Sequence, residues 1–413
     1  MRYNSVNILF VKGNIKMGET RGDISIRNQH LEYIDVLRVL SMLSVVFLHT
    51  AAGSLRGNLN STVWHLSNLL TAIMSSSVPI FFMISGAMLL NSEKTLSISF
   101  TYKKRLPKAV IPFLVWSLVA VSYFAAIGFI TSDVVNWKDV ISKLKNITSQ
   151  PTTVHLWFMY ALIPLYILSP ILKRMVDALS DKLMHYLILL WVIFSSVIPT
   201  IAAIVPVKIQ SFFVLNTSYN LNFLNGYLGY FIIGYFLLKY EKPVSKKVLM
   251  SIILIDTIVI SFGTWLKTSQ VGQYSELFKG YSRVFILIIS ISIFLLVKEM
   301  SKSHVISPRY SGFVRVLSSA SFGIYLFHNL LINLISKKVD LWPAKSLLSL
   351  FGCFFAVFFL SLACIIVAAS LKPTCYAFTG LTFKNACETM NIQYFVNKLF
   401  GKKSIVTALK ADI

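Results

Sequence analysis

The sequence predicts an all-α protein, a polytopic membrane helix bundle of about ten transmembrane helices with both termini cytoplasmic. Hydrophobic residues make up 56% of its 413 residues and charged residues only 13%, whereas soluble domains carry about 45–50% and about 25%. This composition excludes an intrinsically disordered chain. It also argues against a nucleic-acid-binding protein, although the formal net charge is +23.

Ten segments are long and apolar enough to be predicted as spans, since a helix needs about 20 mostly apolar residues to cross the hydrocarbon core. They lie at residues 34–52, 67–90, 109–131, 154–172, 184–206, 222–238, 248–266, 280–297, 316–335 and 346–371. The connectors between them are too short to hold a soluble domain of ordinary size.

The distribution of basic residues predicts the orientation of the spans. With the N-terminus inside, the inside segments hold 28 of the 39 Lys and Arg residues and the outside loops hold 10, while Arg283 lies within a span. Lys and Arg concentrate in cytoplasmic loops of membrane proteins. We therefore expect both termini in the cytoplasm.

The two ends of the chain differ from its apolar body. Residues 1–30 are polar and basic, and we expect a disordered cytoplasmic extension there. The next apolar stretch is longer than that of a signal peptide and lacks a small-x-small cleavage site, so it is predicted to remain as the first span. Residues 373–413 are predicted to be a basic cytoplasmic tail, amphipathic around residues 391–400, on the membrane surface. The four cysteines lack metal-site spacing, and we expect no metal ion.

The first span carries the densest set of polar residues. Arg38 and His49 are 11 residues apart, which places them within about 20° of one helix face and about 16 Å apart along the axis. Asp35 precedes Arg38 by one turn and lies near the same stripe. Ionisable groups inside spans tend to face a cavity, a partner or a substrate. Alternatively, Arg38 extends to the lipid headgroups and His49 packs against a neighbouring helix.

A basic cluster follows the second span at the predicted cytoplasmic surface. It contains Lys103, Lys104 and Arg105. Such a cluster either orients the helices or binds anionic lipid or a phosphate group, and the sequence leaves both open.

The second span itself contains helix-breaking and small residues. Pro79 is predicted to loosen the helix because it lacks a backbone N–H. The Ser85-Gly86 pair is predicted to permit a close approach of another helix.

Polar residues also mark the fourth and ninth spans. Trp157, at the start of the fourth span, fits an aromatic belt at the membrane surface. Ser321, Tyr325 and His328 follow the i, i+4, i+7 rule and share one face of the ninth span. That face is equally compatible with interhelical hydrogen bonding and with the lining of a cavity.

These pieces occur together in one order, which is Asp35-x-x-Arg38-x10-His49, Phe-Phe-Met-Ile-Ser85-Gly86, Lys-Lys-Arg105-Leu-Pro, Leu156-Trp157 and Ser321-Phe-Gly-Ile-Tyr325-Leu-Phe-His328. The ordered set resembles the acyltransferase 3 family, multi-spanning bacterial enzymes that acylate surface polysaccharides. The resemblance covers roughly residues 31–372, and the Arg-x10-His spacing is its most distinctive mark.

The resemblance implies an activity. In similar proteins the matching Arg and His, here Arg38 and His49, are needed for acyl transfer, the donor is cytoplasmic acetyl-CoA, and the acceptor is usually a sugar hydroxyl. It implies an O-acyltransferase of the bacterial inner membrane that transfers an acetyl or other short acyl group to a cell-surface glycan or its lipid-linked precursor. The bilayer is then its other partner.

The resemblance and the chemistry of the side chains together imply roles for individual residues. His49 is expected to act as a general base or to carry the acyl group covalently, and the sequence leaves both open. The expected ligands of the CoA phosphates are four cations: Arg38, Lys103, Lys104 and Arg105. Asp35 is expected to orient Arg38. The expected lining of the acceptor path is Ser85, Trp157, Ser321, Tyr325 and His328.

Two other functions are compatible with the pattern. An exporter or transporter of polysaccharide or lipid-linked glycan would also have many spans and buried ionisable residues. Paired broken helices would support that function, and the sequence shows no convincing pair. A non-catalytic assembly scaffold predicts that Arg38 and His49 tolerate substitution.

Overall fold

Helices account for most of the residues that the structure describes. The computed structural model describes residues 21–132, 136–213, 226–303, 308–338 and 346–400, and in these residues it contains helices and no strand. Nine helical segments of this described part are long and apolar enough to cross a membrane. The predicted all-α polytopic bundle is therefore confirmed.

The helices used below are labelled in chain order. They are α1 (Arg21–Leu55), α2 (Thr62–Met74), α3 (Ser77–Leu90), α4 (Leu106–Ser132), α5 (Trp157–Ala178), α6 (Asp181–Val192), α7 (Leu228–Lys239), α8 (Lys246–Val271), α9 (Val284–Ser303), α10 (Pro308–Lys338), α11 (Leu347–Ser370), α12 (Lys372–Thr379), α13 (Phe383–Thr389) and α14 (Ile392–Phe400). The remaining helical pieces are π-helical turns at Thr101–Arg105 and Ile193–Val197 and short segments at Glu93–Leu96, Ile98–Phe100, Trp137–Lys145, Val154–Leu156, Ile198–Ile204, Val207–Gln210, Ser211–Phe213 and Leu277–Lys279.

Two predicted boundaries differ from the structure. Helix α1 begins at Arg21, so residues 21–30 of the predicted extension are helical backbone, while residues 1–20 lie outside the described residues. The predicted sixth span corresponds to α7, which has only 12 residues. Twelve residues of helix measure about 18 Å, which is shorter than a hydrocarbon core. Residues 214–225, which precede it, are also outside the described residues.

The predicted second span is two helices rather than one. Helix α2 ends at Met74 and α3 begins at Ser77, so Pro79 lies in the first turn of α3. A proline is tolerated there because the N–H groups of a first turn have no partner within the helix. The hydroxyls of Ser75 and Ser76 donate hydrogen bonds back to carbonyls of α2, each over 2.7 Å. The predicted loosening near Pro79 is thus a two-residue interruption at Ser75 and Ser76 within one span-length segment, Thr62–Leu90.

Helices α1 and α10 run parallel and in register. The Arg38 guanidinium donates to the Ser318 hydroxyl over 2.8 Å, and 11 and 10 residues further along the two helices the rings of His49 and His328 lie 5.1 Å apart. The two contacts show that Arg38 and His49 face the same helix, as their spacing predicts. We refer to the two ends of this pair as the Arg38 side and the His49 side of the bundle.

Helices α3 and α7 approach more closely than side chains permit. A Cβ atom on Gly86 would lie 1.7 Å from the carbonyl oxygen of Phe231, and one on Gly234 would lie 1.9 Å from that of Met83. Each helix therefore contributes one glycine to a direct backbone contact. The close approach predicted from Ser85-Gly86 is confirmed, and this contact fixes α3, whose Ser85 faces the site described below.

Replacing Gly86 with alanine tests this contact. We expect Gly86→Ala to lower the thermal unfolding midpoint in detergent, because overpacking costs about 1–3 kcal/mol or more. The matched control is Gly352→Ala in α11, where an added Cβ meets nothing within 4 Å. Equal midpoints for the two variants would contradict the account.

Candidate active site

A closed polar network lies on the Arg38 side, between α1 and α10. Arg38 pairs with Asp35 over 3.0 Å and donates to Ser318 over 2.8 Å. The Ser318 hydroxyl in turn donates to Asp35 over 2.5 Å. The predicted orientation of Arg38 by Asp35 is therefore observed, with Ser318 as a third member that the sequence did not indicate.

A cavity of about 490 Å³ opens beside this network, within the size range of small-molecule sites. Its cations are Arg38, Arg105 and Lys108, and none of the described residues that line it is acidic. Most of the remaining wall is apolar and comes from α3, α4, α5, α10 and the C-terminal residues: Phe81, Ile84, Met88, Leu89, Ala109, Phe158, Leu162, Phe322 and Leu381. The cavity suits a ligand with an anionic end and a slender, less polar body.

The basic cluster before α4 contributes to the cavity selectively. Arg105 lines it and is held by the hydroxyls of Ser92, at 2.7 Å, and Thr95. Lys103 and Lys104 are exposed and do not line the cavity, whereas Lys108 does. Arg105, at the end of the π-helical turn, and Lys108, in the first turn of α4, thus contribute to the same space.

The residues predicted for an acceptor path divide into two groups. Ser85, Ser321 and Tyr325 line the cavity. Trp157 does not line it and stacks on Tyr281, with ring centroids 5.5 Å apart. His328 lies one turn beyond Tyr325 on α10, outside the cavity lining.

Three histidine rings form a cluster on the His49 side. The ring centroids of His49 and His328 are 5.1 Å apart, those of His155 and His328 are 4.9 Å apart, and those of His49 and His155 are 6.2 Å apart. His155 lies in the turn that precedes α5, and sequence reasoning did not assign it to the site. Its only local signal is its place directly before Leu156-Trp157.

Hydrogen bonds set the roles of two of the rings. A carbonyl oxygen only accepts, so Nδ1 of His328 donates to the carbonyls of Ile324 and Tyr325, at 3.2 and 2.7 Å, and its Nε2 is buried without a partner among the described residues. In the same way Nε2 of His155 donates to the carbonyl of Leu326 over 3.2 Å. These bonds hold both rings in fixed orientations against α10.

The His49 ring differs from the other two. It is partly exposed, and within the described part of the chain neither of its nitrogens has a hydrogen-bond partner. In the neutral ring, the nitrogen that carries no hydrogen is therefore available to accept a proton or to attack a carbonyl carbon. Among the described residues, no group of three or more histidine, cysteine or acidic side chains is arranged to hold a metal ion.

Tyr325 separates the cavity from the histidine cluster and contacts both. It lines the cavity, and its ring centroid lies 5.6 Å from that of His155 and 6.1 Å from that of His328. Its hydroxyl donates to the backbone carbonyl of His155 over 2.5 Å. The cavity with its cations and the three histidines thus lie on opposite sides of Tyr325 and are adjacent through it.

Comparison with known families identifies most of the chain. A family model described as an acyltransferase domain matches residues 31–369, which include the polar network and the whole histidine cluster. Searches among curated proteins and among solved structures found no match.

Removing the Tyr325 hydroxyl tests the hydrogen bond that connects α10 to the turn before α5. We expect Tyr325→Phe to lower the free energy of unfolding by about 1–3 kcal/mol, because it leaves a buried carbonyl without its donor. Thermal unfolding of the purified protein measures the change. Tyr186→Phe, at a tyrosine 58% exposed on α6, is the control, and equal stability of the two variants would show that this hydrogen bond is unimportant.

Proposed function

The chain belongs to the acyltransferase 3 family, and from this premise we propose that it is an O-acetyltransferase that modifies a cell-surface glycan or its lipid-linked precursor. The family and the nine long apolar helices among the described residues make it a membrane acyltransferase. The finer proposal adds that the donor is cytoplasmic acetyl-CoA or another short acyl-CoA and that the membrane is the bacterial inner membrane. Its main support is the position of the histidine cluster next to the cavity that holds the cations, with Tyr325 in contact with both.

The shape and charge of the cavity support an acyl-CoA donor. Its phosphates would be bound by Arg38, Arg105 and Lys108, since guanidinium and ammonium groups form strong charge-assisted hydrogen bonds with phosphate oxygens. The narrow arm of the donor would follow the apolar wall. Its thioester would then reach Tyr325, next to the histidine cluster.

The histidine cluster supports acyl transfer to a hydroxyl. The acceptor oxygen attacks the thioester carbonyl carbon while His49 takes the hydroxyl proton. The carbon–sulfur bond then breaks, and the leaving CoA thiolate takes that proton from the imidazolium. We assign the base to His49 because, among the described residues, neither of its nitrogens has a partner, whereas His155 and His328 are each held by hydrogen bonds to carbonyls of α10 and position its ring.

A covalent route uses the same residues. His49 would attack the thioester, release CoA and carry the acetyl group as an acyl-imidazole. The acceptor hydroxyl would then attack that carbonyl carbon and free the histidine. Both routes end in the same ester.

The charge distribution supports an orientation for the transfer. With 28 basic residues in the segments predicted inside and 10 outside, the Arg38 side faces the cytoplasm, where acyl-CoA is found. The histidine cluster then lies toward the opposite surface, where a glycan acceptor is available.

Loss of His49 should abolish transfer. We expect His49→Ala to lower the acetyl-transfer rate by about 10²–10⁴-fold, the usual contribution of a positioned base, as measured with labelled acetyl-CoA and acceptor glycan in proteoliposomes. His185→Ala, at an exposed histidine of α6, is the control. Full activity of a correctly inserted His49→Ala protein would refute the assignment, and intact acetyl-CoA with the wild type would favour an exporter.

Two substitutions compare a cation that lines the cavity with a nearby cation that does not line it. We expect Lys108→Met to raise the KM for acetyl-CoA by about tenfold, since one lost charge-assisted contact is worth about 1.5–3 kcal/mol. Lys104→Met removes the same charge from the exposed surface and should leave KM unchanged. Equal effects would indicate that the whole basic cluster acts on the donor through its long-range charge.

A further inference from the structure

The residues after α11 fold back onto the bundle instead of forming a free tail. Helices α12, α13 and α14, here called the C-terminal cap (residues 372–400), follow the segment that the family model matches. The backbone N–H of Ile392 donates to the hydroxyl of Ser370 over 2.9 Å, and the Asn391 side chain donates to the carbonyl of Ala369 over 3.4 Å. These bonds tie the far end of the cap to the end of α11.

The near end of the cap is docked on α4. The indole N–H of Trp116 donates to the carbonyl of Phe378 over 3.0 Å, and the two rings pack edge to face with centroids 5.1 Å apart. Trp116 is 5% exposed. This hydrogen bond from a buried indole fixes the position of the cap along α4.

The docked end turns sharply at Gly380. This residue is the C-cap of α12 and has a φ of 72°, a left-handed conformation that favours glycine. The hydroxyl of Thr379 donates to the carbonyl of Cys375 over 2.6 Å and accepts from the N–H of Leu381 over 3.1 Å. The turn is thus held by bonds within the cap.

The Gly380 turn lies against the donor cavity. Thr379, Gly380 and Leu381 line the cavity, and a Cβ atom on Gly380 would lie 2.4 Å from the carbonyl oxygen of Lys108. Lys108 is one of the three cavity cations. The cap therefore touches the backbone that carries a proposed phosphate ligand and closes the wall beside it.

We propose that the C-terminal cap forms part of the acyl-CoA site and that the Gly380 turn sets the width of this site at Lys108. This inference rests on the proposed function, because it takes the cavity to be the donor site. A side chain at position 380 must move either α4, which displaces Arg105 and Lys108, or the cap, which removes Leu381 from the wall. Either movement weakens donor binding.

The same geometry predicts which kinetic parameter changes. The histidine cluster lies beyond Tyr325, and none of the ring contacts of its three histidines involves a residue of the described cap. A change in the cap should therefore alter binding of acetyl-CoA and leave the chemical step nearly intact. A purely structural role would instead lower the amount of folded enzyme without changing its KM.

The test compares two glycines with the same backbone conformation. Gly272 caps α8 with a φ of 74°, and an added Cβ there meets nothing within 4 Å. Gly380→Ala and Gly272→Ala therefore introduce the same backbone strain, but only the first collides with Lys108. We expect Gly380→Ala to raise both the Kd and the KM for acetyl-CoA by about tenfold, which corresponds to 1.4 kcal/mol, with kcat nearly unchanged. Gly272→Ala should bind acetyl-CoA like the wild type.

A second, milder variant keeps the proposal testable if Gly380→Ala does not fold. Trp116→Phe keeps an aromatic ring but loses the bond to Phe378, and it should raise the Kd in the same direction by a smaller factor. Trp137→Phe, at a tryptophan 65% exposed, is its control.

The outcomes distinguish the two proposals. If the cap variants bind acetyl-CoA like the wild type while Lys108→Met binds it weakly, the cap is not part of the donor site and the proposed function stands. A fall in kcat with an unchanged Kd would also overturn the role of the cap. If the wild type itself does not bind acetyl-CoA, the proposed function fails, and the inference about the cap fails with it.

Discussion

The parallel pairing of α1 and α10 is the constraint on which the site depends. Hydrogen bonds among Arg38, Asp35 and Ser318 fix this pair on one side, and the rings of His49 and His328 pack against each other on the other side. Polar groups in a bilayer are costly unless they bond to one another. The bonds of Arg38, Asp35 and Ser318 satisfy these groups in the observed register, and the same register brings the rings of His49 and His328 together.

The other helices shape the space beside this pair. The glycine contact between α3 and α7 holds the wall that carries Ser85, and the π-helical turn before α4 brings Arg105 to the cavity. The turn before α5 supplies His155, whose backbone carbonyl accepts a hydrogen bond from the Tyr325 hydroxyl of α10. Binding and chemistry are thus assigned to opposite ends of the site, with Tyr325 between them. This separation suits a reaction whose donor and acceptor approach from different surfaces.

Much of the fold and the centre of the site follow from the sequence because they depend on local periodicity. Composition predicts the spans, and a repeat of 3.6 residues places Arg38 and His49 on one face. The Asp35–Arg38 pair and the glycine contact at Gly86 follow from the same short-range geometry. For that reason these predictions needed no knowledge of how the helices are arranged.

Other parts of the site depend on tertiary arrangement, which periodicity does not encode. His155 joins the cluster through a contact with α10 about 170 residues away along the chain. Charge density alone does not show which of the neighbouring cations line the cavity, as Arg105 and Lys108 do and Lys103 and Lys104 do not. For the residues of the cap the sequence predicts a tail on the membrane surface, because these short helices have a mixed composition without a strongly apolar segment.

The most direct measurement is a structure of the protein with a non-hydrolysable acetyl-CoA analogue bound. We expect the phosphates of the analogue at Arg38, Arg105 and Lys108, and the Gly380 turn in contact with the ligand. The acyl group should lie past Tyr325, within about 3 Å of His49, which is the reach of a hydrogen bond. An analogue bound at the exposed Lys103 and Lys104, or one whose acyl group ends on the Arg38 side of Tyr325, would contradict this expectation.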